Sequence, residues 1–405
     1  MSGFVFPRSQ RLSRIKPSPS MMARIRAQEL IAQGRDIIDL TAGEPDFNTP
    51  AHIRAEATRA MEEGDTRYGP VNGTARLRAA IVAKLARENG VSYALDEITV
   101  GAGAKQVIYN ALAATLDAGD EVIVPAPYWV SYPDMTLLCD GEPVIVTCAE
   151  NVGFKLTPAA LEAAITPRTR WLILNSPCNP TGAVYSAQEV AALAAVLARH
   201  PHVAVMTDDI YEHVRFDDGP PVCVTAVAPE LRARTLLVNG VSKTYAMPGF
   251  RIGYGAGPVS LIKAISVVQS QTTSTMSSPS MAGAAAALEG DQSFVREARA
   301  AYRARRDLAV ERLNAIDGVR CASPGGAFYV YPHCGGLIGR KRPDGRTLAS
   351  DVDVAMHFLE EAGVAVLDGA AYGLSPYLRL SIAASEEAIA EACARMNRAV
   401  GALRN

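Results

Sequence analysis

The chain lacks any pairable arrangement of cysteines. Its seven (Cys139, Cys148, Cys178, Cys223, Cys321, Cys334 and Cys393) are odd in number, scattered, and contain no CxxC pair. That argues against a disulfide framework and against a zinc site, and it fits a reducing compartment. An excess of one charge is lacking as well: 40 Lys and Arg against 42 Asp and Glu leave a formal charge of −2. No sustained basic surface is available for nucleic acid, so small anions held by local arginines are the charged ligands left to consider. No stretch reaches the roughly 18 to 20 apolar residues of a membrane span, the Ala- and Val-rich segment 187–199 included. The first eight residues have no signal-peptide core, and neither an internal repeat nor a low-complexity tract is present. A cytoplasmic protein with no metal, nucleic-acid or membrane partner is the expectation.

What is present is ample material for a core. Of 405 residues, 49% are apolar and 20% charged, a globular composition sized for two or three units. Short β-branched runs recur at 97–100, 121–124, 144–146, 171–174, 203–206, 235–238 and 252–255, separated by helix-like segments. This spacing predicts an α/β fold with a mostly parallel sheet covered on both faces. From about residue 291 the character shifts. A long amphipathic helix at 294–315, strands at 328–331, 364–367 and 377–382, a helix at 351–361 and a closing helix from Ser385 predict a smaller α+β unit. The expected divisions are residues 1–45, an arm and helix joining the small domain; 46–290, the large domain; and 291–405, the small domain.

Several of the predicted strands end in loops with chemical potential, and ligands of open α/β sheets sit beyond such strand ends. Gly101-Ala102-Gly103-Ala104-Lys105 offers unobstructed N–H groups at a helix start, suited to phosphate, although a tight strand-to-helix turn explains it equally well. Asp208 ends an apolar strand, where a buried carboxylate requires compensation; a protonated heterocycle would supply it, and a helix N-cap is the plain alternative. Trp129 follows Pro-Ala-Pro-Tyr in a loop and is either core or a surface on which a flat ring stacks. Arg379 lies between apolar neighbours and needs an anion, from the protein or from a substrate carboxylate. Residues 240–253, GVSKTYAMPGFRIG, set Lys243 and Arg251 eight positions apart among small residues. Desolvation or a neighbouring cation would make the lysine a good imine-forming amine, and the arginine could fork onto a phosphate.

Taken with Lys16-Pro17-Ser18, Ala42-Gly43-Glu44-Pro45-Asp46-Phe47, Tyr68-Gly69-Pro70, residues 127–133 (PYWVSYP), 175–182 (NSPCNPTG), 208–213 (DDIYEH), Gly326-Ala327-Phe328-Tyr329 and Arg379-Leu380-Ser381, these motifs resemble the class I pyridoxal-phosphate aminotransferases. The likeness runs from about Leu12 to Val400 and is closest to the bacterial aspartate and prephenate branch. It implies the type I fold of pyridoxal-phosphate enzymes, with a large and a small domain. It implies also that Lys243 carries the cofactor as a Schiff base and shuttles the substrate proton, while Asp208 faces the pyridinium nitrogen. Asn179 and Tyr211 would bond the ring's phenolic oxygen, and Trp129 would stack on the ring. Gly103, Ala104, Lys105 and Arg251 would hold the phosphate, with Tyr68 reaching the site of the neighbouring subunit in a homodimer. Arg379, the backbone near Gly43 and Asn179 would take the substrate α-carboxylate, and Lys16 a distal one. The implied activity is amino transfer from an L-amino acid, aspartate first, to a 2-oxo acid such as 2-oxoglutarate by a ping-pong course, with prephenate or aromatic acids as rivals. A pyridoxal-phosphate lyase and a noncatalytic effector-binding module are the remoter alternatives.

Overall fold

The computed structural model describes residues 6–15 and 19–404, with the backbone alone for 19–24. Its strands in chain order are β1 (Ile38–Asp39), β2 (Ile98–Gly101), β3 (Glu121–Ala126), β4 (Glu142–Thr147), β5 (Thr169–Asn175), β6 (Ala204–Asp208), β7 (Thr235–Gly240), β8 (Gly253–Ala256), β9 (Tyr329–Val330), β10 (Val364–Ala365), β11 (Leu367–Asp368) and β12 (Leu378–Ser381). Seven form one sheet in the order β2-β8-β7-β6-β5-β3-β4. Each corresponds to one of the seven β-branched runs. β8 alone is antiparallel to its neighbours β2 and β7, and the remaining pairs are parallel.

Period-two alternation explains why both faces are covered. Val122 and Val124 pack on one side with Trp171, Ile173 and Met206, against helices Ala104–Thr115 and Val259–Thr272. The intervening Ile123, with Leu172, Leu174 and Val205, packs on the other side against helix Ala187–Leu197. Ser186 and Glu189 cap that last helix reciprocally, each side chain bonding the other's backbone N–H.

The C-terminal third packs around a further core that also takes in Ile210, Tyr211, Val214 and Phe216 from the segment after β6. Helix Ser293–Asn314 packs against helix Glu386–Gly401 and against the antiparallel sheet β11-β12-β9, around Tyr302, Phe328, Val330, Leu380 and Met396. β1 pairs in parallel with β10, tying the chain before residue 45 to this region.

Two expectations need correction. The apolar run at 364–367 is not one strand: Val364–Ala365 pairs with β1, Leu367–Asp368 turns to β12, and Val366 is the corner. All four residues are buried, and apolarity does not reveal which partner each one takes. The helix expected over 351–361 is α-helical only for Asp351–His357 and widens into a π-turn at Phe358–Ala362 before Gly363, which has a φ of 63°.

Candidate active site

The sheet topology gathers the site. β2, β3, β5, β6 and β7 all run the same way, so their C-terminal ends share one edge, and antiparallel β8 starts there. The loops leaving β2, β3, β5 and β7 carry Gly103, Trp129, Asn179 and Lys243, Asp208 closes β6, and Arg251 lies two residues before β8. A cavity of about 320 Å³ opens at that edge, lined by Gly43, Gly103, Ala104, Lys105, Trp129, Asn179, Asp208, Tyr211, Lys243, Arg251 and Arg379. Eleven of the thirteen sequence-derived candidates therefore meet in one place. Tyr68 stands apart on the surface, 92% exposed. Lys16 lies outside the described residues.

Lys243 lies in the cavity, donating to the Gly43 carbonyl at 2.5 Å. Burial, with help from Arg251 and Arg379 and against the pull of Glu44 and Asp208, brings its amine down to about 8. Part of the population is then a free amine near neutral pH. The loop after it contains two non-glycine residues in the left-handed region, Ala246 and Arg251, with φ of 51° and 57°. The Arg251 turn points its guanidinium at the glycine loop, where it donates to the Ala102 and Pro248 carbonyls at 3.0 Å. A Cβ on Gly253 would collide with the Ala104 nitrogen, so the start of β8 lies directly against the N-terminus of helix Ala104–Thr115. Glycine is what allows this approach.

Asp208 is 4% exposed at the end of β6. Burial raises its carboxyl to about 6 even though Tyr132 Oη donates to it at 2.6 Å, Ile210 N at 3.3 Å and Lys243 lies nearby. No helix follows β6, only a turn, which removes the N-cap explanation. Tyr132 does not stand out in the sequence. It sits three residues after Trp129, whose carbonyl accepts its N–H at 3.0 Å, and the two rings meet edge to face at 5.3 Å. Asn175 is equally inconspicuous there: it accepts from Asn179 N and donates to Asp208 O, both at 2.8 Å, locking two strand-end loops together.

At the opposite wall Tyr211 and Tyr329 join hydroxyl to hydroxyl at 2.9 Å. Arg379, 3% exposed, lies over the Tyr329 ring at 4.4 Å and donates to Thr41 O at 2.6 Å and Asn179 Oδ1 at 3.3 Å, leaving its buried Nε without a partner. The Lys105 ammonium sits 4.8 Å over the Trp129 ring; burial and the nearby Arg251 lower its pKa. Among the described residues, none of Lys105, Arg251 and Arg379 has a carboxylate partner.

The cavity thus has, among the described residues, a buried acid with no ion-pair contact, three cations with no carboxylate partner, an aromatic wall and a lysine with a lowered pKa. Pyridoxal phosphate carries the complementary groups: a pyridinium nitrogen, a phosphate, a flat ring and an aldehyde. Such a site defines a Schiff-base enzyme with room for a carboxylate substrate beside the cofactor.

Comparison with known proteins agrees. The model of aminotransferase class I and II matches residues 35–396. The aspartate/prephenate aminotransferase of Cereibacter sphaeroides is 53% identical over 388 residues, covering 96% of this chain and 97% of that protein. An aspartate aminotransferase of Rhizobium meliloti is 50% identical, with 96% and 95% covered. Among solved structures, the R. meliloti aspartate aminotransferase superposes with a TM-score of 0.96 at 49% identity, covering 98% of this chain and all of that one. The Thermus thermophilus aspartate aminotransferase with maleate gives 0.91 at 41%, with the same coverage. The chain belongs to the class I and II aminotransferases and is a pyridoxal-phosphate-dependent transaminase. Its substrates are amino acids and 2-oxo acids, and no helix among the described residues is long and apolar enough to cross a membrane.

Proposed function

We propose that the chain is an aspartate transaminase that uses 2-oxoglutarate as acceptor, works as a homodimer in the cytoplasm, and has no nucleic-acid or metal partner. The observation that carries the substrate choice is the set of cavity cations that have no carboxylate partner among the described residues. Arg251 beside the glycine loop suits a phosphate and Arg379 an α-carboxylate, which leaves the Lys105 ammonium for a second carboxylate. A dicarboxylate substrate uses all three. The names of the relatives support the same choice, and the word prephenate in one of them keeps that dicarboxylate as a second reading.

In this reading Arg379 orients the substrate through its carboxylate fork, with the Asn179 side chain beside it. Lys243, brought down to about 8, takes the proton from the substrate Cα at its Nζ and returns it on the other side of the transfer. Asp208, fixed by Tyr132 and Ile210, keeps a negative charge where a cationic ring nitrogen needs one. Tyr211, fixed by Tyr329, and Asn179 present polar groups to the ring's phenolic oxygen, and Trp129 supplies the stacking face. Backbone N–H groups of Ala104 and Lys105, at the start of helix Ala104–Thr115, with Arg251 hold the phosphate, and Gly103, whose own N–H donates to Gly101 O at 2.7 Å, gives the cradle its positive-φ turn. When bound, the cofactor stores the amino group and the electron pair released from Cα. Exposed Tyr68 is assigned to the site of the partner subunit, and Lys16, which lies outside the described residues, to the distal carboxylate.

Steady-state kinetics of the Lys105→Met variant test the substrate assignment. Its kcat/KM for aspartate and 2-oxoglutarate is expected to fall about 10- to 100-fold, the worth of a charge-assisted hydrogen bond, with little change for phenylalanine. An equal loss for both donors would assign Lys105 to the phosphate alone.

A further inference from the structure

The turn after β6 has two sides. Asp208, Ile210 and Tyr211 line the cavity, while Asp209, Glu212 and His213 face away from it, the last two bonding to a buried polar cluster behind the turn. Lys84, at the end of helix Ala75–Lys84, is 1% exposed and Glu212 4%. The Lys84 ammonium contacts Glu212 Oε1 and Asn89 Oδ1, the latter at 2.7 Å, and lies 3.5 Å from Glu88. Asn89 Nδ2 donates to the other Glu212 oxygen at 2.7 Å, and Asn239 Nδ2 donates to Oε1 at 2.6 Å. Asn239 belongs to β7, and its own Oδ1 accepts from Gly240 N at 2.7 Å. His213 bridges Thr244 Oγ1, next to Lys243, at 3.2 Å and Glu88 at 2.9 Å.

Glu88, Glu212 and His213 bring ligand atoms within 4.8 Å of one another, as a metal centre would. Here the Lys84 ammonium stands among them, so the cation of the cluster is part of the chain. Burial alone would raise both carboxyls; Lys84 and His213 hold Glu212 below its ordinary value and Glu88 at about 2. Both carboxyls are thus held toward the charged form, and each is committed to named donors.

We propose that Glu212 is a positioning residue for the cofactor site: held by Lys84 and Asn89, it ties the turn bearing Asp208 and Tyr211 to the end of β7 that leads to Lys243. Both cofactor-facing loops then share one fixed point, and their relative placement is set before any ligand arrives. This rests on the assignment of Lys243, Asp208 and Tyr211 to the cofactor. A displacement of about 1 Å in such groups costs about 10²-fold in rate.

The test compares wild type, Glu212→Gln and the double variant Lys84→Met/Glu212→Gln as cofactor-loaded proteins, with active sites counted by bound cofactor. The double variant replaces the pair by neutral groups and guards against the misfolding that a buried ammonium deprived of its nearest carboxylate invites. In both variants kcat per loaded site is expected to fall roughly 10- to 100-fold, with KM for the amino donor within about threefold of wild type. The visible circular dichroism per bound cofactor should fall as well, because one glutamine oxygen cannot replace a carboxylate that receives donors on both oxygens. Thermal stability should drop in the single variant and recover in the double. Wild-type kcat per site and dichroism in the double variant, whatever its stability, would overturn the inference. A wild-type protein with no visible cofactor band would instead overturn the assignment on which it rests.

Discussion

Replacing Gly103 by alanine separates a phosphate cradle from an ordinary strand-to-helix turn. Gly103 has φ 84° and ψ 162°, a region that is essentially glycine-only. A side chain there costs roughly 1 to 3 kcal/mol of folding stability from the backbone alone. The added Cβ would also lie 2.5 Å from Arg251 Nη2 and 3.1 Å from its Cζ, so the guanidinium must leave its present position. A displaced guanidinium gives up its charge-assisted contact with phosphate, worth about 1.5 to 3 kcal/mol, or roughly 10- to 150-fold in cofactor affinity. Gly119 is the control, with φ 90° and open space where an alanine methyl would lie, nothing coming within 4 Å of it, so alanine there strains the backbone without touching the site. Titrating apo protein with pyridoxal phosphate, followed by absorbance, should show weakened binding for Gly103→Ala and wild-type binding for Gly119→Ala, although both variants melt earlier. Equal affinity of Gly103→Ala and wild type would refute the cradle.

Asp208 gives a pH-dependent expectation for the apo protein. Its folded carboxyl titrates at about 6, against about 3.9 in an unfolded chain. The stability of the protonated form is therefore fully present below about pH 4 and is lost as pH rises through about 6, amounting to about 3 kcal/mol above that. Apo Asp208→Asn should accordingly resist urea better than apo wild type at pH 8, and the advantage should vanish near pH 4; an advantage independent of pH would contradict the burial argument. Arg379→Lys keeps the charge but not the fork, so KM for both amino donor and oxo acid should rise about 10- to 100-fold while cofactor affinity stays constant. A change in cofactor affinity instead would move Arg379 away from the substrate.

How much of this was legible in the sequence depended on the range of the contact. The seven strands of the large sheet could be read because each is a β-branched run within a covered sheet, and the site followed because strand ends converge wherever strands run parallel. Asp208 was conspicuous as an acid closing an apolar strand, and Lys243 and Arg251 as cations among small residues. The β1–β10 pairing was not legible: two residues carry no periodicity, and Ile38 and Val364 lie far apart in the chain. Nor was the ion cluster, since Lys84 and Glu212 are 128 residues apart and each resembles a surface charge on its own helix or turn. Tyr132 stands within the 127–133 motif, but only the fold shows that its hydroxyl reaches Asp208.

The proposed chemistry depends on Lys243 carrying pyridoxal phosphate in a cavity that transfers amino groups. The most direct measurement is the absorption spectrum of the purified protein and of Lys243→Ala, before and after aspartate, glutamate or phenylalanine and then 2-oxoglutarate. Wild type should show a visible band that amino donors shift to the near ultraviolet and 2-oxoglutarate restores, and the variant should lack that cycle. A wild-type protein with no visible band even after pyridoxal phosphate is added, or a Lys243→Ala protein that completes the same cycle, would rule out that role for Lys243.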